Sequence, residues 1–260
     1  MSSLYLEQFG TGPDLVLVHG WGLHGGVFNA LAERLAARYR ITLVDLPGHG
    51  RSPAPEQQQN LSTLADSVAA VTPSRATWLG WSLGGMIAAQ LALNAPMRVD
   101  KLILVASSPR FITGTGWPYA MDPAVLAGFA QELQEDYRGT LDRFLSLHVG
   151  LNTAAGRDTL RQLREMLFQF PSPAPQALRD GLAILSSADL RAQLPALRCP
   201  VLYVLGERDR LVPVGVGAAL TALLPAAQIQ IVTGAGHAPF LSHQTEFLAA
   251  LAAFLESAHD

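Results

Sequence analysis

The chain has 260 residues, 49% of them apolar and 15% charged, which is ample for a buried core and too little charge for long disordered tails. Eighteen basic residues face 21 acidic ones, a net charge of −3, without the basic excess of a nucleic-acid binder. The single cysteine, Cys199, excludes an internal disulfide and a cysteine zinc site, and no apolar run reaches the ~18 residues that span a membrane.

The start of the chain, Met1 to Gly10, carries Glu7 and has neither a basic region nor an apolar stretch. No signal peptide is expected, so a cytoplasmic protein is. Leu15-Val16-Leu17-Val18 is a short apolar run closed by His19-Gly20. Ile41-Thr42-Leu43-Val44 is a second, closed by Asp45 and Pro47-Gly48. Ala76 to Gly80 is a third and Leu102 to Ala106 a fourth. Between them, Phe28, Leu31 and Leu35, and then Leu83 to Leu93, have helical spacing. Continuous apolar strands alternating with helices predict a parallel sheet buried on both faces.

From Ser108 to about Ser187 the strands stop. Helices are expected at Pro123 to Leu133 and Leu160 to Phe168, with turn signals at Thr113 to Gly116 and Pro171 to Pro175. Strands return at Val201 to Leu205 and Gln228 to Val232, and a last helix is expected from Gln244 to Ser257. The fold class is therefore α/β: a doubly wound core, 1–108 and 188–260, interrupted by a helical lid, 109–187. Such a lid sits over the carboxyl ends of the strands, where these sheets bind ligands.

Gly80-Trp81-Ser82-Leu83-Gly84-Gly85 follows a strand and precedes a helix, the context of a G-x-S-x-G nucleophile elbow. The turn must be too tight for neighbouring side chains, hence glycine on both sides. It lifts the Ser82 hydroxyl to a helix N-terminus, where free N–H groups favour a developing oxyanion. A serine needs a base, and the base an orienting carboxylate; in this architecture acid and histidine follow in that order. Gly206-Glu207-Arg208-Asp209-Arg210-Leu211-Val212-Pro213 supplies two acids. Asp209 is favoured by its place at the turn before the next helix, and Glu207 is the competitor. Thr233-Gly234-Ala235-Gly236-His237 supplies the base, in a glycine-rich loop. His24, His49, His148 and His259 lack a strand-end context that fits a base, and His243 reads as structural. The oxyanion donors expected are the backbone N–H groups of Trp21, in the loop after the first strong strand, and Leu83, after the nucleophile. Trp21 also stands to wall the acyl pocket, and His19 to brace its loop. No metal or cofactor is expected.

These motifs, with Asp45 to Ser52, resemble the α/β-hydrolase superfamily over almost the whole chain. Longer strings resemble one family within it, the pimeloyl-acyl-carrier-protein methyl ester esterases: His19 to Leu23, Trp78 to Gly85, Val105 to Pro109, Val125 to Phe129, Arg143 to Leu145 and His237 to Phe240. The resemblance implies a serine carboxylesterase with Ser82, Asp209 and His237 as its triad. It places Trp21 and Leu83 at the oxyanion and substrate site and Phe144 in the acyl pocket. It also implies an acyl carrier protein as partner, gripped by lid arginines. Arg143, Arg157 and Arg161 match those positions; one further family arginine falls at Gly139, beside Arg138.

Spacing agrees. Arg157, Arg161 and Arg164 fall on one helical face, and from Arg143 to Arg164 four arginines meet one acid, Asp158. A planar guanidinium suits phosphate and carboxylate alike, although a solvated helix face would read the same. A monomer is expected. The other readings are a carbon–carbon bond hydrolase or cofactor-free peroxidase, a general short-chain esterase, and a receptor that binds ligand without turnover.

Overall fold

The computed structural model describes residues 3–147, 153–167 and 169–256, at Gln134 the backbone only. His148 and His259 lie outside the described residues, as do Phe168 and Ser257, the expected ends of two helices.

Among the described residues seven strands form one sheet. They are β1 (Leu6–Phe9), β2 (Asp14–Val18), β3 (Arg40–Val44), β4 (Ala76–Trp81), β5 (Val99–Val105), β6 (Val201–Gly206) and β7 (Gln228–Val232), in the spatial order β1-β3-β2-β4-β5-β6-β7. Only β1 runs antiparallel, with Leu6 opposite Val44. Every residue of β4 and β6 is buried, whereas β1 and β7 at the edges are mostly partly buried or exposed. That explains the four strong apolar runs: central parallel strands are covered on both faces. It also explains why β1 does not stand out in the sequence.

Parallel neighbours need crossovers, and the helices supply them. These are α1 (Asn29–Leu35), α2 (Leu61–Val71), α3 (Leu83–Asn94), α4 (Pro123–Glu135), α5 (Tyr137–Leu147), α6 (Ala154–Leu167), α7 (Pro175–Ser187), α8 (Val216–Leu223), α9 (Pro239–Ser242) and α10 (Gln244–Glu256). Local chemistry sets several starts. Asn60 and Thr63 form a reciprocal capping box on α2, and the Asp122 side chain caps α4 with Pro123 at its first position. The only lysine, Lys101, donates to the carbonyls of Phe254 and Leu255 and docks the end of α10 on β5.

Helices α4 to α7 lie between β5 and β6. The chain leaves and rejoins the sheet through a laced neck. The Leu190 N–H donates to the Pro109 carbonyl at 2.9 Å. Asp189 accepts from Arg110 at 2.8 Å and from Arg191 at 2.7 Å, and the Arg191 guanidinium lies 5.5 Å from the centre of the Trp117 ring. Hydrogen bonds from the two arginines hold the Asp189 carboxyl below the usual carboxylate range. Among the described residues no helix is long and apolar enough to cross a membrane.

Candidate active site

Ser82 caps α3 with φ 56° and ψ −120°, a strained conformation for a residue with a side chain. The flanking glycines are what let it exist. A Cβ on Gly80 would lie 2.3 Å from the Gly84 carbonyl oxygen, and one on Gly84 would lie 2.2 Å from that of Val18. Helix α3 is thus pressed onto the end of β2. The Ser82 N–H donates to Val105 at 2.9 Å, tying the elbow to β5.

Asp209 follows β6 and is 6% exposed. Its Oδ1 accepts from the N–H groups of Leu211 (2.8 Å) and Val212 (3.0 Å), and its Oδ2 lies 2.7 Å from His237 Nδ1. The first pair of bonds explains the spacing that distinguished Asp209 in the sequence: the carboxylate closes its own turn and still presents one oxygen. With Nδ1–H donated to that oxygen, Nε2 of His237 carries the basic lone pair. Glu207 does something else. Its Oε2 accepts from the Gly234 N–H at 2.8 Å and braces the loop that carries His237. Trp81, inside the elbow, reaches the same loop: its Nε1 donates to the His237 carbonyl at 2.7 Å.

The loop after β2 passes directly over the serine; a Cβ on Gly20 would lie 3.2 Å from Ser82 Cβ. His19 is fully buried and holds that loop. Its Nε2 accepts from the Leu46 N–H at 2.9 Å, so the hydrogen sits on Nδ1 and is donated to the Gly20 carbonyl at 2.7 Å. Burial, and then the neighbouring His49, push His19 down to about pKa 3, which keeps it in the neutral form that both bonds require. Asp45 accepts from the N–H groups of Gly25 and Arg51 and from the Arg51 side chain, the scaffold role expected of its turn.

Helices α5 and α7 pack on the loop after β2. Trp21 packs edge-on against Phe144 of α5 with 4.7 Å between ring centres, and Phe144 packs on Phe129 of α4 at 5.5 Å. The Trp21 Nε1 donates to the Leu178 carbonyl of α7 at 2.9 Å. Ser82 is 2% exposed. The cavity lined by His49, Leu83, Asp180 and Gly181 holds about 10 Å³, room for one water.

The lid arginines are spoken for. Arg143 pairs with Glu132 at 2.8 Å, Arg161 with Asp158 at 3.2 Å, and Arg164 with Asp142; Arg138 donates to the Tyr137 hydroxyl. The count of four arginines against one acid covered too short a window. Glu132 lies on α4 and Asp142 one residue before Arg143, and tertiary packing brings both to the arginines. Arg164 therefore ties α6 to α5 rather than extending a one-faced stripe.

Residues 13–244 match the family model described as the alpha/beta hydrolase fold. The pimeloyl-[acyl-carrier protein] methyl ester esterase of Xanthomonas oryzae pv. oryzae (strain MAFF 311018) is 47% identical over 254 residues, covering 98% of this chain and 99% of that one. The protein of that name from Stenotrophomonas maltophilia (strain K279a) is 47% identical over 253 residues, covering 97% and 96%. An esterase structure from Exiguobacterium antarcticum superposes with a TM-score of 0.89 at 24% identity, covering 99% of this chain and 100% of that one. The chain belongs to the α/β-hydrolase fold family and, within it, to the family of the pimeloyl-[acyl-carrier protein] methyl ester esterases.

Proposed function

We propose that this protein is a serine carboxylesterase that hydrolyses the methyl ester of a pimeloyl group carried on acyl carrier protein, as the names of its relatives state for them. The observation that supports the chemistry is a buried Asp209–His237 pair whose histidine carbonyl is held by Trp81, the residue before a serine held at φ 56°. His237 Nε2 takes the Ser82 proton as Oγ attacks the ester carbonyl. The backbone N–H groups of Trp21 and Leu83 receive the oxyanion. His237 returns the proton to the departing methoxide, and methanol leaves. Water, activated by the same imidazole, then cleaves the acyl-enzyme and frees the carboxylate. No cofactor enters any step.

Phe144, with Trp21, supplies the apolar wall for the acyl chain once the lid opens. Arg138, Arg143, Arg157 and Arg161 are the proposed grip on the carrier. The internal pairs of Arg143 and Arg161 do not oppose this, because exposed ion pairs contribute only about 0–1 kcal/mol. An acidic carrier can replace Glu132 and Asp158 at small cost.

The test is loss of the methyl group from methyl pimeloyl-acyl carrier protein, followed by mass spectrometry. The wild type should demethylate it and take up a fluorophosphonate probe. Ser82→Ala should do neither while remaining folded. Turnover that survives in Ser82→Ala sinks the nucleophile; a wild type that cleaves small esters but spares the carrier substrate sinks the substrate.

A further inference from the structure

The string Val105-Ala106-Ser107-Ser108-Pro109 has no part in the chemistry above, yet it touches the elbow at two points. The fourth strand was expected to run to Ala106 but stops at Val105, because Ala106 turns back with φ 45°. Ser82 and Ala106 are the two residues other than glycine with positive φ among the described residues, and they are neighbours in space. The reversal at Ala106 lets its two neighbours grip one residue: the Val105 carbonyl accepts the Ser82 N–H at 2.9 Å, and the Ser107 hydroxyl donates to the Ser82 carbonyl at 2.8 Å. Ser107 is 2% exposed. Gly85 makes room for it, since a Cβ there would lie 2.5 Å from both Ser107 Cβ and Oγ.

The Ser82 carbonyl and the Leu83 N–H belong to the same peptide group. That group is planar and trans, so its oxygen and hydrogen point in opposite directions. Whatever holds the oxygen from behind therefore aims the hydrogen in front. A hydrogen bond on the carbonyl also polarises the N–H. Gly20 and Trp21 repeat the arrangement, with His19 Nδ1 behind the Gly20 carbonyl.

We infer that Ser107 is a positioning residue of the oxyanion hole, holding the peptide whose Leu83 N–H receives the developing negative charge. This rests on the serine-esterase reading above. Removing one oxyanion donor outright costs about 10²–10³-fold in kcat. The N–H groups of Gly85 (3.0 Å) and Met86 (3.4 Å) also donate to the Ser82 carbonyl, so Ser107→Ala leaves the donor in place and only loosens its aim; a loss of about tenfold in kcat is expected, with KM unchanged. Ser107→Thr, which keeps the hydroxyl, should recover most of the activity.

The deciding experiment compares two inhibitors of matched chain length. A trifluoromethyl ketone adds to Ser82 and places an oxyanion in the hole; the corresponding secondary alcohol binds without forming one. Ser107→Ala should weaken the ketone by the same factor as kcat and leave the alcohol unchanged. If the alanine variant does not fold, Ser107→Cys, a similar volume with a weak donor, takes its place in the comparison. Unchanged ketone affinity overturns the inference. So does an equal loss for ketone and alcohol, which is what general damage to the site would give. A wild type that the ketone does not inhibit overturns the serine-esterase reading itself.

Discussion

Trp81→Phe removes a single donor, the indole N–H that holds the carbonyl of His237 at 2.7 Å. Both residues are fully buried, so no water is at hand to replace the bond. A buried carbonyl left without its partner costs about 1–3 kcal/mol. The smaller ring also gives up contact with Phe240, whose ring centre lies 5.3 Å away, and each buried methylene-sized group lost adds about 0.8 kcal/mol. A total of about 2–4 kcal/mol is expected. At roughly 2–4 °C per kcal/mol for a domain of this size, the unfolding midpoint should fall by about 4–16 °C in a calorimeter. Activity should fall further than stability explains at 25 °C, where the variant is still folded. The glycine-rich loop of His237 loses one of its anchors, so kcat should drop by about tenfold or more while KM holds, because the imidazole must be in place for a 1 Å-sensitive proton transfer. A midpoint within 2 °C of wild type would refute the energetic argument, and an unchanged kcat would refute the positioning role.

Asp209→Asn should lower kcat by about 10⁴-fold if the serine-protease precedent holds; Glu207→Gln keeps an acceptor for the Gly234 N–H and should change kcat little, and the reverse ranking would move the orienting acid to Glu207. Charge reversal at Arg157 and Arg161 should raise KM for the carrier substrate by about 2–10-fold, more at low salt, and leave a p-nitrophenyl ester alone. Arg164→Glu, which breaks the tie to Asp142, should instead impair both substrates through the lid. Stability should fall with acid. Burial, with smaller contributions from neighbours, lowers His19 to about 3 and His49 to about 4 in the fold. Between about pH 6.5 and pH 4 the unfolded chain therefore binds more protons than the native one, and each histidine costs up to about 1.4 kcal/mol per pH unit as pH drops through that window. Thermal unfolding from pH 7.5 to 4.5 measures it; a flat profile above pH 5 would contradict it.

The central strands could be read from the sequence because burial on both faces makes them apolar throughout, and the elbow because its glycines answer a local clash. Asp209 was legible for the same reason: its carboxylate closes a turn within three residues. What could not be read is what depends on distant partners. β1 is half exposed and pairs antiparallel with β3 from the edge. Trp81 meets His237 across 156 residues, and Ser107 meets Ser82 across 25. Helix α6 starts at Ala154, earlier than the apolar stripe from Leu160 suggests, because its first turn is built on small residues that carry no periodic signal. Arg143 and Arg164 looked unpaired only because their acids, Glu132 and Asp142, sit on neighbouring helices.

The laced neck has a consequence for how this enzyme can change over generations. Pro109 and Leu190 are bonded to each other, so the insertion between them begins and ends at one point on the sheet. A segment with pinned, adjacent ends can be lengthened, trimmed or exchanged without shifting the strands on either side, and even a doubling of its length adds only about 0.6 kcal/mol of closure entropy. Arg110, Asp189 and Arg191 reinforce that junction, outside the elbow and outside the histidine loop. The anchor of the insertion and the turns that carry Ser82, Asp209 and His237 therefore lie apart. A new insertion must still keep its contacts to the loop after β2, such as the bond from Trp21 to Leu178, for the elbow, the acid turn and the histidine loop to stay as they are.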